Sequence, residues 1–295
     1  MIKRQIKRIA FDTMVRLVWS KKINLNFKKN EFSEQIAELK KSGVIKINKN
    51  YSEFADYISK EYIDKILKNE KTEFPIFQGP AQNNEAGTAI ACDLPLNDKR
   101  ISDFILDKKI CGLMEQYYGG KCYLRADPLL QRIETNVESL EKSNSNFHVD
   151  RYMQFNLFLL LSDTDEKTTH TDFLISSHKR KFLDPIIHKE VDECKKMIDV
   201  DKYKTFSLTG KKGDAFIFNT IGMHRANHIV GTTRNLFALM FTNGHNLYSY
   251  KNIDNQNLKF IDSKNFDTIN RKSKNLVFYN EKKKGGNFQY FKFQT

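Results

Sequence analysis

All seven histidines of this 295-residue chain lie beyond residue 147, and one of them sits in Phe147-His148-Val149-Asp150. In an extended strand the side chains at i and i+2 share a face, with backbones about 7 Å apart. A nitrogen of His148 and a carboxylate oxygen of Asp150 can then converge on one ion. A second histidine from a neighbouring strand would complete a two-histidine, one-carboxylate set. That set leaves three coordination positions open on one face and suits non-haem Fe(II). A lone His-x-Asp is common, so its context matters. Downstream, a tight Gly213-Asp214 turn enters an apolar run, a short turn follows, and His224 comes next. Ten residues later Arg234 opens another apolar run. An arginine at the base of a β pocket can grip a carboxylate through its two-pronged guanidinium. Arg225 is a rival for that role. Tyr152, Gln154 and Asn156 share the His148/Asp150 face if the strand stays regular. His170, His178 and His228 read first as structural histidines, with His228 and His170 as secondary candidates to line a pocket.

With these residues in view, the stretch from about 35 to 245 resembles the phytanoyl-CoA dioxygenase family of Fe(II)/2-oxoglutarate oxygenases. The helix, glycine and short strand of Leu39–Ile47 are similar to the family's entry. Ser176-Ser177-His178-Lys179 is similar to its Gly-Ser-His-Lys turn, with Ser176 in place of the glycine. The spacing from His224 to Arg234 is one residue shorter than is usual in the family, and Lys167–Thr171 stands where Asn-Gly is common. The resemblance implies that His148, Asp150 and His224 are the iron ligands. It implies that Arg234 binds the distal carboxylate of 2-oxoglutarate and that Gln131, seventeen residues before His148, helps to position it. The implied cofactors are Fe(II), 2-oxoglutarate and O2, with ascorbate supportive in vitro. The implied reaction is hydroxylation of a small molecule, with desaturation or cyclisation open to the same site, and 2-oxoglutarate is decarboxylated to succinate and CO2. The carboxylate of Asp150 speaks against halogenation. An alternative is a metal-binding cupin-like protein without oxygenase activity, which would not need Arg234. A minor alternative is a nucleic-acid oxidative demethylase, which would bind its target in a strongly salt-dependent way.

These residues need elements to hold them. From residue 121 short aromatic and β-branched runs alternate with turns (121–125, 130–135, 147–161, 171–176, 204–209, 214–220, 234–242), and one helix is expected near 186–198. The pattern predicts a mainly β, α+β fold with a double-stranded β-helix (jelly-roll, cupin-like) core and N-terminal flanking helices. Helices are expected over 31–42, 51–68 and 99–118, with a strand at 44–47 and a proline- and glycine-bearing loop over 75–98. The domain plan is a basic amphipathic helix at 1–29 and a single oxygenase domain at 30–295. That domain divides into a helical cap to about 120, a β-helix core at about 121–245, and an extension at 246–295 ending in a β-hairpin around Lys282-Lys283-Lys284.

Composition sets the outer limits. Hydrophobic residues make up 40% of the chain, including 23 Phe, which is too many for a disordered chain. No apolar run is long enough to span a bilayer as a helix. Cys92, Cys111, Cys122 and Cys194 stand alone, which points to free thiols in a reducing cytosol. The net charge is +13, and nine basic residues against Asp12 concentrate +8 of it in residues 1–29. That segment is either a packed helix with solvated lysines or one that docks on an anionic membrane or partner surface. The expected setting is cytoplasmic, with peripheral membrane contact open to the basic helix. The expected partner is a small-molecule substrate, anionic ones included, with no nucleic acid.

Overall fold

The computed structural model describes residues 31–68, 76–80, 87–94, 98–118, 122–124, 128–135, 147–150, 154–179, 200–243 and 259–261. The basic segment 1–29, Tyr152, the helix expected near 186–198 and the hairpin with its lysines lie outside them. Helix α1, Ser33–Ser42, buries Ile36 and Leu39, with Phe32 ahead of it. It stops where Gly43 takes a φ of +86° and returns its N–H to Leu39 O at 2.9 Å. Glycine adopts this left-handed backbone at little cost. Strand β1, Val44–Lys46, begins directly after it. Helix α2, Ser52–Ile58, passes through a π-helical turn, Ser59–Ile63, into α3, Asp64–Leu67. Helix α4, Lys99–Ile105, starts on Asp98, whose carboxylate accepts from the N–H groups of Arg100 and Ile101. A second π turn, Lys108–Gly112, leads to α5, Leu113–Tyr118.

The remaining strands are β2, Ile76–Pro80; β3, Gly87–Asp93; β4, Cys122–Leu124; β5, Leu129–Thr135; β6, Phe155–Leu160; β7, His170–Leu174; β8, Thr205–Ser207; β9, Ala215–Asn219; β10, His224–Asn227; β11, Thr232–Asn243; and β12, Lys259–Ile261. The large sheet runs β1-β9-β6-β11-β5-β3-β2, with β4 paired to β11 and β12 to β4, and every pairing is antiparallel. The small sheet is β10-β7-β8, and His148 bridges to His224 on its β10 edge. This is the double-stranded β-helix, with helices against one face of the larger sheet.

Alternation along the strands decides what each face meets. On β6 and β11, Phe155, Leu157, Leu159, Phe237, Leu239 and Phe241 join one core with α1, α2, α4 and α5. The opposite parity, Leu160, Phe216 and Phe218 with Val44, packs against Phe173 and Leu208 of the small-sheet side. Each such side chain contributes about 2 kcal/mol by leaving water, so a one-residue slip in register would move a whole row to the wrong face. The inner row also carries the polar chemistry: Gln154, Asn156, Arg234 and Thr135 are all buried.

Two expectations need correction. The range 75–98 is not loop throughout: among its described residues β2 and β3 pair antiparallel and extend the large sheet alongside β5, from Gly87↔Thr135 to Asp93↔Leu129. Pro80 is tolerated because β2 is the edge strand. The 147–161 run is not one strand either. Asp150 N–H donates to Thr220 O at 3.0 Å, and Gln154 O accepts from Thr220 N–H at 3.0 Å and from its hydroxyl at 3.1 Å. One residue, Thr220, therefore ties Asp150 and Gln154, neither of which is in a strand, ahead of β6. No helix among the described residues is long and apolar enough to cross a membrane.

Candidate metal centre

His148 and His224 face each other across a two-residue bridge. Each N–H donates to the other's carbonyl, at 2.9 and 3.0 Å, and the rings lie 4.5 Å apart. Asp150 follows two residues after His148, with its N–H on Thr220 O. One ligand atom from each of His148, Asp150 and His224 lies within 4.8 Å of the others.

The turn before His224 explains its placement. Asn219 Oδ1 accepts from Ile221 N–H at 3.2 Å, and Asn219 O accepts from Gly222 N–H at 2.9 Å. Gly222 runs so close to the Phe173 ring that a Cβ there would collide with it. Met223 N–H donates to the buried Ser177 hydroxyl at 2.7 Å, and Leu174 N–H donates to Met223 O at 2.9 Å. His224 Nδ1 then lies 3.0 Å from Gly222 O. A carbonyl only accepts, so the proton sits on Nδ1 and Nε2 is directed towards Asp150 Oδ1 at 3.6 Å. Burial pushes the His224 pKa down, but the Asp150 carboxylate and the Gly222 carbonyl outweigh it and the net direction is up.

Arg234 is 5% exposed. Its Nη1 donates to Thr171 Oγ1 at 2.8 Å, and its Nε is buried with no partner. Burial pushes the guanidinium pKa down to about 10, so it keeps its charge at neutral pH. A buried cation costs several kcal/mol unless an anion joins it, and among the described residues no carboxylate pairs with it. The rival, Arg225, is committed elsewhere: its Nε and Nη2 each sit 2.9 Å from Asp172 Oδ2, and it lies over the Phe147 ring. Gln131 stands on β5 opposite Leu236, which shares the face of Arg234.

Beside Arg234 is a hydroxyl cluster that sequence reasoning missed. Thr135 Oγ1 lies 3.0 Å from Thr169 Oγ1, which lies 2.9 Å from Thr232 Oγ1. Thr135 Oγ1 also lies 3.3 Å from His228 Nδ1. Burial and then the charge of Arg234 push the His228 pKa down to about 4, so that ring is neutral. The available signal was the shared parity of Thr232 and Arg234. Thr171 carried no such signal, because it reaches Arg234 from another sheet. His170 is not at the pocket. It sits on the other face of β7, with Nδ1 against Thr168 O at 2.6 Å and Nε2 3.2 Å from Asp172 Oδ1. His178 is a turn residue: Ser176 N–H, the Ser176 hydroxyl and the His178 Nε2–H meet the last carbonyls of α1, those of Ser42, Lys41 and Lys40.

The chain overlays on several solved structures. The non-haem α-ketoglutarate-dependent epimerase SnoN from nogalamycin biosynthesis matches with a TM-score of 0.54 at 14% identity, over 72% of this chain and 83% of SnoN. EctD from S. alaskensis, solved with bound Fe, matches with a TM-score of 0.55 at 15% identity, over 76% and 82%. The carbocyclase SnoK of the same nogalamycin biosynthesis matches with a TM-score of 0.51 at 12% identity, over 88% and 96%. The chain shares the fold of these structures. At these identities the likeness is one of fold. No protein-family model matches the chain, and no curated protein matches it.

Proposed function

We propose that the chain is a non-haem Fe(II)/2-oxoglutarate-dependent dioxygenase acting on a small molecule. In this reading it hydroxylates, desaturates or cyclises that molecule while 2-oxoglutarate is converted to succinate and CO2. His148, Asp150 and His224 hold the iron, and Arg234 and Gln131 position the cosubstrate. The observation that carries the reading is a coincidence of two features: three ligand atoms within 4.8 Å and a buried guanidinium with an open Nε. A cupin-like metal sensor needs the first feature and gains nothing from the second, which is costly without an anion.

The residues fit the absent groups. Two imidazoles and a carboxylate suit Fe(II) and leave positions open, and a fork-shaped cation suits a carboxylate. Iron and 2-oxoglutarate supply the oxidising chemistry when bound. The chain presents His224 Nε2 by tying Nδ1 to Gly222, keeps Arg234 charged, and lines the inner face with Phe158, Phe216 and Phe218. The neighbours support the choice: one SnoN structure contains Fe3+, α-ketoglutarate and nogalamycin RO, and one EctD structure contains 2-oxoglutarate and 5-hydroxyectoine. The narrower placement beside the phytanoyl-CoA dioxygenases follows the sequence resemblance. The test is succinate formation against a metabolite panel with Fe(II), 2-oxoglutarate and ascorbate in air. Turnover should need both Fe(II) and 2-oxoglutarate and vanish in Asp150→Ala. Turnover retained by Asp150→Ala would sink the ligand assignment.

A further inference from the structure

We infer that Gln154 is the positioning residue for Asp150: its amide holds one carboxylate oxygen so that the other is presented beside His224 Nε2. The inference rests on the iron reading above and deepens it.

The geometry begins with Thr220. Thr220 ties Asp150 N–H and Gln154 O to itself, so the two residues are brought together however the chain runs between them. Gln154 is 2% exposed and opens the inner row of β6. Its Nε2 lies 3.4 Å from Asp150 Oδ2 and 2.9 Å from Asn156 Oδ1. A carboxylate oxygen and an amide oxygen can only accept here, so both contacts require hydrogens on the Gln154 nitrogen. The two acceptors therefore settle which way the amide is turned. Asn156, two residues on and within β6, is itself buried, so the orientation is locked by a neighbour held in the strand.

The consequence concerns the two oxygens of Asp150. Oδ2 faces the amide, while Oδ1 faces His224 Nε2 at 3.6 Å. A carboxylate held in this way offers one oxygen to a metal and keeps the other engaged. That favours a single-oxygen ligand and leaves the remaining positions for cosubstrate and O2. Groups that orient a ligand in this manner typically change metal affinity by about 10- to 100-fold when removed.

The experiment titrates the full-length protein with Co(II), without 2-oxoglutarate, following heat by calorimetry and the visible Co(II) absorption. Gln154→Glu replaces the donor with an acceptor facing Asp150, and Gln154→Met keeps the length and removes the hydrogen bond. Both should bind Co(II) about 10- to 100-fold more weakly and alter its absorption, with Gln154→Glu the worse. If Gln154→Glu does not fold, Gln154→Met carries the test, with far-UV circular dichroism as the check. A folded Gln154→Met with wild-type affinity and an unchanged spectrum would overturn the inference. Asp150→Ala separates this from the parent reading. If it too binds Co(II) as wild type does, the metal site itself is wrong. If it alone loses Co(II), the site stands and Gln154 has no part in it.

Discussion

Strand β7 separates two buried polar clusters, and they differ in one respect. On its outer face Asp172 is flanked directly by Arg225 on β10 and Ser207 on β8. It accepts from Ser207 at 2.7 Å and from Arg225 at 2.9 Å, and lies 3.2 Å from His170. On its inner face Thr171 holds Arg234, whose remaining buried nitrogen is open. The first cluster is closed: the carboxylate sits between the Arg225 guanidinium on the neighbouring strand and the His170 ring two residues away on its own strand. The second is missing its anion. The contrast teaches that burial of a charge does not mark a functional site. A charge buried with its partner belongs to the scaffold, and one buried without a partner is an invitation to a ligand.

The comparison breaks most visibly if Asp172 is removed. Asp172→Ala leaves the His170 and Arg225 side chains uncompensated, and losing one member of such a buried pair costs about 3 kcal/mol or more. Urea unfolding should show that loss. Next in size is Arg234→Met. It should weaken 2-oxoglutarate binding to the metal-loaded protein at least about 100-fold, equivalent to about 2.7 kcal/mol, as read by calorimetry. The same variant should unfold no more easily than wild type, because an unpaired buried cation has been replaced by an apolar side chain of similar length. If Arg234→Met were as destabilising as Asp172→Ala, Arg234 would be part of the scaffold and the contrast would fail.

Much of the site could be read from local pattern. The His148-x-Asp150 spacing, His224 after its turn, and Arg234 opening an apolar run are all short-range features, and the structure brings His148, Asp150 and His224 together. Helix α1, Gly43 and β1 were equally legible, since a left-handed glycine ends a helix by local geometry alone. The hairpin of β2 and β3 was not. Its prolines and glycines argue locally for a loop, whereas its strands exist because β5 lies alongside them, and strand preference depends heavily on such context. The break after Asp150 was hidden for a similar reason. Apolar residues recur from Phe147 to Leu161 with no glycine or proline to mark a break, but Thr220, from the turn after β9, holds Asp150 and Gln154 ahead of β6. The partners of Arg225 and Arg234 come from β7, so only the fold could say which arginine was already taken.

The smallest expected effect sharpens the comparison through pH. His170 belongs to the closed cluster, and its pKa is raised: burial pushes it down, but the hydrogen bonds to Asp172 and the Thr168 carbonyl outweigh it. The folded state therefore holds a proton that the unfolded chain releases. This contribution is fully present below about pH 6.5 and is lost as pH rises through the folded pKa. His228, beside the open cluster, has the opposite sign. Its pKa is lowered to about 4, so its contribution is present above about pH 6.5 and is lost as pH falls towards 4. Urea midpoints across this range should show His170→Gln flattening the alkaline limb and His228→Gln flattening the acid limb. The His228→Gln effect should be about 1 kcal/mol, since water still reaches half-buried His228. Arg234→Met should also shrink the acid limb, because the cation that helps to keep His228 neutral is gone. It should move the alkaline limb less, because the charge of Arg234 is the smallest of the influences on His170, where burial and Asp172 come first. Alkaline and acid limbs that moved by equal amounts in Arg234→Met would mean that β7 does not keep the two clusters apart.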